Sequence, residues 1–253
     1  MFDMRPEGIE SIVLDPGHGA GAEFNRGSVI GHEGENNFHY ALDLKEALEK
    51  YGFKVTMTRQ KITDNPSLSA RGGMAKDKDL FLSLHSNAMS WNSPYFGKVR
   101  GVEVWDDTNA KYSNERLAAL ICDKVSRRFQ IPNRGVKYRR DTDGLNWYGV
   151  LRSSFAKSSM LVEHVFHDNP EDCYIYVHRR KEMARIVAEA VAEHYKRPLL
   201  QTDAPTVPTA SELDKAQKWA VDSKIMSDSD WTQEKRNSAW WLYTYHVLHG
   251  GKS

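Results

Sequence analysis

Two histidines and one glutamate lie where predicted strands end or a predicted helix begins. His18 stands in DPGHG, directly after the β-branched run SIVLD, and His85 closes the apolar run DLFLSLH. Glu33 immediately precedes the first long helical pattern. Ligand sites of open α/β sheets gather outside the carboxyl ends of the strands, so these three side chains could converge. Two imidazoles and one carboxylate, with a fourth position left to water, form the ligand set of a catalytic zinc ion.

The chemistry that such a site indicates is hydrolysis, because zinc lowers the pKa of water to about 7 and polarises a carbonyl group. Hydrolysis also needs a base that takes the proton of the attacking water and passes it to the leaving group. Glu163 is the candidate, since it lies in the apolar run MLVEHVF, where burying a carboxylate without a partner is costly. The next residue, His164, would face the opposite side of an alternating strand, which indicates a structural role.

Each of these residues also has a simpler explanation. A histidine after a strand is more often a loop or core residue than a ligand, and Glu33 would be favourable near a helix N-terminus without any metal. Glu163 could pair with an arginine. His18 and Glu33 are 15 positions apart and Glu33 and His85 are 52 apart, which is no compact motif such as His-Glu-x-x-His. The residues alone therefore leave a metal site and these structural roles open.

The elements that must position these residues are strands alternating with helices. The hydrophobic pattern predicts an α/β fold with a twisted, mostly parallel sheet and helices on both faces. The strands are expected at residues 11–15, 53–59, 79–85, 101–105 and 160–166, and the helices at 37–50, 68–76, 117–129 and 183–191.

Composition excludes some classes of partner. The 35 basic residues nearly cancel the 34 acidic ones, so no strong field favours nucleic acid. No run approaches the ~20 apolar residues that cross a membrane, so no membrane insertion is expected. The N-terminus, MFDMRPEGIE, lacks the apolar core of a secretory signal.

The alternating pattern stops after Tyr195. Residues 197–210 contain three prolines among small polar residues and are predicted to be a linker. This divides the chain into a catalytic domain at 1–196 and a small α-helical unit at 211–253. The small unit is rich in tryptophan, with Trp219, Trp231, Trp240 and Trp241.

Several motifs, taken in order over about residues 10–195, resemble the zinc-dependent N-acetylmuramoyl-L-alanine amidases of the autolysin and phage endolysin type. The motifs are IVLDPGHG, GHEGENNFHYALDLKEALEKYGFKV, LSARGGMAK, DLFLSLHSNA and VEHVFHDN. The resemblance implies Zn²⁺ as cofactor, His18, Glu33 and His85 as its ligands, and Glu163 as the catalytic glutamate. Glu33 is preferred to Glu35 because the family pattern places an asparagine four residues after the ligand.

Some residues depart from the family pattern or have an open role. Val165 stands where family members commonly carry glycine, which bears on the local backbone. Arg71 matches a frequent family arginine, which would either bind a stem-peptide carboxylate or form a structural ion pair. His167 is expected near the rim of the site. Residues 133–152 either border the substrate groove or form a solvated loop.

The resemblance implies hydrolysis of the bond between N-acetylmuramic acid and L-alanine in bacterial peptidoglycan. A phage endolysin is expected, held in the host cytoplasm before release and then acting on the cell wall. A sporulation or cell-separation autolysin and another zinc peptidoglycan hydrolase, an endopeptidase or deacetylase, are alternatives, as is a non-catalytic wall-binding protein. The unit at 211–253 resembles S-layer homology modules and would either bind a secondary cell-wall polymer or pack on the catalytic domain.

Overall fold

The computed structural model describes residues 9–19, 31–107 and 114–199, together with Asp214 and Lys218. The chain divides into two compact units, Met1–Leu200 and Gln201–Ser253. The predicted linker and the predicted helical unit at 211–253 lie almost wholly outside the described residues, although Asp214 and Lys218 are both helical.

Six strands form one sheet in the order β2-β1-β3-β6-β4-β5. Neighbouring strands run parallel except for β4 and β6, which are antiparallel. This confirms the predicted mostly parallel sheet. The strands are β1 (Ser11–Pro16), β2 (Lys54–Met57), β3 (Leu80–Asn87), β4 (Val102–Asp106), β5 (Asn133–Lys137) and β6 (Ser158–Phe166).

Helices cover both faces of the sheet, as predicted, but unequally. The helices are α1 (Glu33–Glu49), α2 (Leu68–Gly73), α3 (Glu115–Phe129), α4 (Gly149–Arg152), α5 (Pro170–His178) and α6 (Arg180–His194). The long helices α1, α3 and α6 pack together over the main core, and the short α2 and α4 pack over a smaller core on the other face. None of the described helices is long and apolar enough to cross a membrane.

Successive strand residues supply the two cores in turn. Leu14, Leu82 and Val162 belong to the main core, whereas Val13, Phe81 and Leu161 belong to the smaller one. A sheet buried on both faces requires near-continuous apolar runs, which explains why its strands were recognisable in the sequence.

Three elements were not predicted. β5 is an edge strand with sequence NRGVK, which offers no apolar alternation, and α4 is only four residues long. Residues 133–152 are therefore more ordered than a solvated loop. α5 carries a readable start signal, because the Asn169 side chain accepts hydrogen bonds from the Glu171 and Asp172 N–H groups and Pro170 opens the helix.

Candidate active site

The first strand delivers His18 to the carboxyl edge of the sheet through a tight turn. Gly17 pairs with β3, its N–H donating to the Leu84 carbonyl at 2.9 Å. A Cβ atom at Gly17 would lie 2.2 Å from the His85 ring, so only glycine allows this approach. His18 itself has a φ of 61°, in the left-handed region that few non-glycine residues adopt. The turn thus brings two imidazoles from neighbouring strands side by side.

Glu33, at the start of α1, joins these two histidines. Its Oε2 lies 3.1 Å from His18 Nε2 and its Oε1 lies 3.2 Å from His85 Nδ1. One potential ligand atom from each of the three residues falls within 4.8 Å of the others, and the described residues contain no other such cluster of His, Cys, Asp or Glu. The half-buried Glu35 is not a member, so the structure brings together the three residues named from the sequence.

The donor chemistry of this cluster fits a zinc ion: two imidazole nitrogens and a carboxylate oxygen at a partly buried corner. Burial of Glu33, the largest influence on its pKa, opposes ionisation. Hydrogen bonds and charge from His18 and His85 outweigh that effect and hold the pKa of the Glu33 carboxyl well below its usual range. A deprotonated carboxylate is the form that binds a metal.

Outer partners fix the orientation of Glu33. Asn37, one helical turn further along α1, donates from Nδ2 to Glu33 Oε1 at 3.4 Å and to the Gly17 carbonyl at 3.3 Å. The Tyr176 hydroxyl on α5 donates to Asn37 Oδ1 at 2.8 Å, and the Ser86 N–H donates to Glu33 Oε1 at 3.2 Å. No local sequence pattern indicates Tyr176 or Ser86, because their roles depend on how distant elements pack.

Glu163 lies beside this cluster on β6. It is in register with His85 on β3 and with Glu103 on β4, so the three side chains project from the same face of the sheet. Neighbouring strands are about 4.8 Å apart, which places Glu163 next to the histidine. Glu163 is almost fully buried, as its apolar neighbours in the sequence indicated.

A β-bulge follows Glu163. Between the pairs His85–Glu163 and Asn87–Phe166, β6 contains one residue more than β3. Val165, which replaces the family glycine, is fully buried in the main core, so the bulge accommodates its side chain.

His164 occupies the opposite face from Glu163, as predicted. Its ring packs against Tyr40 and Tyr176 at centroid distances of 4.4 and 5.6 Å, and its Nδ1 donates to the His85 carbonyl. Burial lowers the pKa of His164 to about 3, so the ring is neutral. His164 is a packing residue that also holds the strand carrying His85.

Arg71 forms the structural ion pair that was one of its two predicted roles. It is buried and contacts Asp15 Oδ1 at 3.0 Å. Its guanidinium also donates to the carbonyls of Pro16 at 2.8 Å and His18 at 2.6 Å. Arg71 therefore braces the turn that carries His18 and is not available to a substrate.

His167, which was expected near the rim, lies beside the ligand cluster and is buried. The residue is only 4% exposed, and its backbone N–H donates to the Asn87 carbonyl at 2.8 Å. Its Nδ1 donates to the Ser86 carbonyl at 2.9 Å and lies 3.9 Å from Glu33 Oε2. His167 thus supports the same strand end that donates to Glu33.

Glu103 is a buried carboxylate that was not predicted as a site residue. Its carboxylate forms ion pairs with Arg134 Nε at 2.7 Å and Lys137 Nζ at 3.3 Å. It also accepts a hydrogen bond from Asn87 Nδ2 at 2.9 Å. Its signal was the same as that of Glu163, a glutamate within an apolar strand, here GVEVW. Glu103 and its two cations form the wall of the site on the side of β5.

The sequence matches the profile of a protein family described as N-acetylmuramoyl-L-alanine amidase over residues 12–193. It is 32% identical over 169 residues to "N-acetylmuramoyl-L-alanine amidase LytC" of Bacillus subtilis, which covers 64% of this chain and 30% of LytC. It is 28% identical over 167 residues to the "probable cell wall amidase LytH" of Staphylococcus epidermidis, which covers 64% of this chain and 50% of LytH. The chain thus spans half or less of the length of these relatives.

Among solved structures, the catalytic domain of the CD27L endolysin targeting Clostridia difficile superposes with a TM-score of 0.59. The sequence identity is 25%, and the match covers 73% of this chain and 97% of that domain.

Proposed function

Because the chain belongs to the N-acetylmuramoyl-L-alanine amidase family, we propose that it uses zinc to hydrolyse the amide bond between N-acetylmuramic acid and L-alanine in peptidoglycan. The observation that carries this proposal is the meeting of His18, Glu33 and His85 at one corner of the sheet, with Glu163 on the adjoining strand. A non-catalytic wall-binding protein would have no need to retain this set.

His18, Glu33 and His85 would hold the zinc ion. When bound, zinc lowers the pKa of water toward about 7 and polarises the scissile carbonyl. Glu163 takes the proton of the attacking water and returns it to the nitrogen of the departing L-alanine. His85 and Glu163 are paired in register, so the proposed base lies on the strand next to one that carries a proposed ligand.

Charged side chains adjoin Glu163 on β4 and β5. Glu103 faces Glu163 across β4 and β6. Arg134 and Lys137 both contact Glu103 and compensate its charge. The site beside the proposed base therefore carries a neutralised carboxylate.

Incubation of the zinc-loaded protein with purified sacculi, followed by mass analysis of the soluble products, tests this proposal. New amino termini on L-alanine, without release of acetate, are expected. Acetate release would identify a deacetylase, new termini elsewhere in the peptide would identify an endopeptidase, and either result would overturn the amidase assignment.

We further propose that the protein acts as a phage endolysin, held in the host cytoplasm until the membrane is breached. The similarity to the CD27L endolysin catalytic domain supports this role, whereas LytC and LytH are proteins of bacteria, which favours the autolysin alternative. Expression inside a bacterium with a susceptible wall should leave the cells intact until a pore-forming protein is co-expressed. Lysis without the pore, accompanied by export of the enzyme, would favour the autolysin.

The predicted helical unit at 211–253, which is rich in tryptophan, would bind a secondary cell-wall polymer. A chain ending at Leu200 should then retain most of its activity on soluble muropeptides but act more slowly on intact walls, because it loses the local concentration that wall binding provides. Equal loss on both substrates with a lower melting temperature would instead indicate that the unit packs on the catalytic domain.

A further inference from the structure

A short hairpin at residues 139–147 stands between β5 and α4. Its two arms are joined by the Trp147 N–H, which donates to the Arg139 carbonyl at 3.0 Å, and by the Asp141 N–H, which donates to the Leu145 carbonyl at 2.8 Å. Arg140 and Asn146 form a β-bridge between these two pairs.

Buried and charged side chains hold this hairpin to the body of the domain. Asn146 is 1% exposed and donates to Asp107 Oδ1, at the end of β4, at 3.2 Å. Arg152 on α4 donates to the Asn146 carbonyl at 2.8 Å and pairs with Asp141 at 3.2 Å. The hairpin is therefore an anchored platform.

Arg139 and Trp147 lie opposite each other on this platform and stack. The guanidinium carbon of Arg139 is 3.7 Å from the centroid of the Trp147 ring. Arg139 is exposed, and Trp147 is 47% exposed. A guanidinium stacked through its flat face keeps its N–H edge available for a planar acceptor.

Arg139 differs from the other cations of this region in its partners. Arg134 and Lys137 pair with Glu103, and Arg152 pairs with Asp141. In the ranges 9–19, 31–107 and 114–199, no carboxylate forms an ion pair with Arg139. A cation already ordered by an aromatic ring but not neutralised is suited to binding a carboxylate bidentately.

Tyr148 connects this pair to the catalytic glutamate. Its ring packs on Trp105 of β4 at a centroid distance of 5.3 Å, over the sheet face from which Glu163 projects. Burial raises the pKa of the Tyr148 hydroxyl, the charge of Glu163 raises it further, and the charge of Arg139 lowers it. Tyr148 directly follows Trp147 in the chain, so the Arg139–Trp147 stack adjoins the sheet face that carries Glu163.

We propose that Arg139, stacked on Trp147, binds a carboxylate of the stem peptide while the scissile amide lies at Glu163. This inference rests on the proposed amidase function and extends it to substrate selection. Stem peptides carry carboxylates, free or amidated, on the residues that follow L-alanine. The enzyme should therefore distinguish the free acid from the amide.

Two pairs of synthetic muropeptides test this with the full-length, zinc-loaded chain. The first pair is N-acetylmuramoyl-L-alanyl-D-isoglutamate and its isoglutamine counterpart. The second pair extends the isoglutamine form by a diamino acid whose side-chain carboxylate is either free or amidated. A preference within the first pair places the bound carboxylate on the second residue, and a preference within the second pair alone places it on the third.

Arg139→Gln should lower kcat/KM for the preferred free acid by about 10- to 100-fold, the range for a lost hydrogen bond to a charged group, and should leave the amide nearly unchanged. Arg139→Lys should restore only part of the difference, because an ammonium group cannot form the bidentate pair. Trp147→Leu should cost about 2- to 5-fold on the acid through loss of the stack. Arg140→Gln, on the adjacent residue, is the matched control and should not change the acid-to-amide ratio.

A wild-type enzyme that cleaves both members of each pair equally, or an Arg139→Gln variant that loses acid and amide alike, would overturn the subsite. Calorimetric binding of the same muropeptides to Glu163→Gln separates this result from failure of the proposed function. One outcome is that the wild-type enzyme shows no cleavage while Glu163→Gln still binds the acid more tightly than the amide, and adding Arg139→Gln removes that preference. In that case the subsite stands and the amidase assignment fails. Equal binding of acid and amide would reject the subsite whatever the activity.

Discussion

The carboxyl and amino edges of the sheet are each stabilised by a carboxylate that pairs with a cation and accepts hydrogen bonds. At the carboxyl edge, the buried Asp15 of β1 accepts hydrogen bonds from Ser83 of β3 and Arg71 of α2 at 2.8 and 3.0 Å. At the amino edge, Asp79, which precedes β3, accepts from the Ser11 N–H and from Lys157 at 2.9 and 2.7 Å. Both carboxylates tie β1 to its neighbours with one cation and short hydrogen bonds.

The two ion pairs differ in the position of the cation relative to the candidate site. Arg71 pairs with Asp15 and also donates a hydrogen bond to the carbonyl of His18, a predicted metal ligand with a left-handed backbone. Lys157 contacts Asp79 at the amino edge, at the opposite ends of the strands from the candidate site residues. The same chemistry therefore contributes to ligand geometry at one edge and only to stability at the other, which substitutions at both edges can test.

The largest effect on activity is expected from the ligand cluster at the carboxyl edge. His85→Ala, like His18→Ala and Glu33→Ala, should weaken zinc binding by more than the roughly 10- to 100-fold typical of outer-shell partners and should abolish hydrolysis. Metal content after dialysis and turnover of sacculi are the measurements. Glu35→Ala is the matched control and should retain both. Zinc loss from Glu35→Ala together with retention by Glu33→Ala would reverse the ligand assignment.

The next largest effect is expected at Glu163, on the same edge but outside the ligand cluster. Glu163→Gln should keep its zinc and its fold, because the residue is assigned to proton transfer. Activity should fall by about 10²- to 10⁴-fold, the usual contribution of general acid–base catalysis. Zinc stoichiometry and turnover should be measured on the same preparation. If this variant loses its metal, Glu163 is a ligand and the division of roles is wrong.

Arg71 is expected to have an intermediate effect, since it acts on His18 only through the backbone. Arg71→Gln should lower zinc affinity by about 10- to 100-fold, as for other residues that orient a ligand. Leaving Asp15 buried without its cation should also cost about 3–5 kcal/mol of unfolding free energy. Competition with a chromophoric chelator and urea denaturation measure the two quantities. Lost stability with unchanged zinc affinity would show that Arg71 does not orient His18.

The sequence revealed the candidate site where local pattern and chemistry coincide. His18, Glu33 and His85 stand at element ends, and Glu163 interrupts an apolar strand, so each could be named before the fold was known. Arg139 and Trp147 could be placed only in a segment that borders the groove or forms a solvated loop, because their stacking depends on a hairpin whose anchors are Asn146 and Arg152. Outer partners such as Tyr176 depend on tertiary packing that no local pattern records.

The smallest effect on activity is expected from Asp79→Asn, which removes the ion pair with Lys157 at the amino edge. Burial opposes ionisation of Asp79, but hydrogen bonds from Lys157 and Ser11 outweigh it and lower the pKa of its carboxyl from 3.8 to about 2. A carboxyl whose pKa is lower in the folded state stabilises the fold above its unfolded pKa, and this contribution is lost as the pH falls toward the folded value. At pH 7 the substitution should therefore cost about 1–2 kcal/mol, allowing for solvent around Lys157. The difference in unfolding free energy between the variant and the wild type should narrow between pH 4 and pH 2.

Urea denaturation of Asp79→Asn in the presence of a chelator excludes zinc release from this comparison. Turnover and zinc affinity at pH 7 should match the wild type. A fall in zinc affinity as large as that of Arg71→Gln would mean that either edge can disturb the site, and the contrast between them would fail.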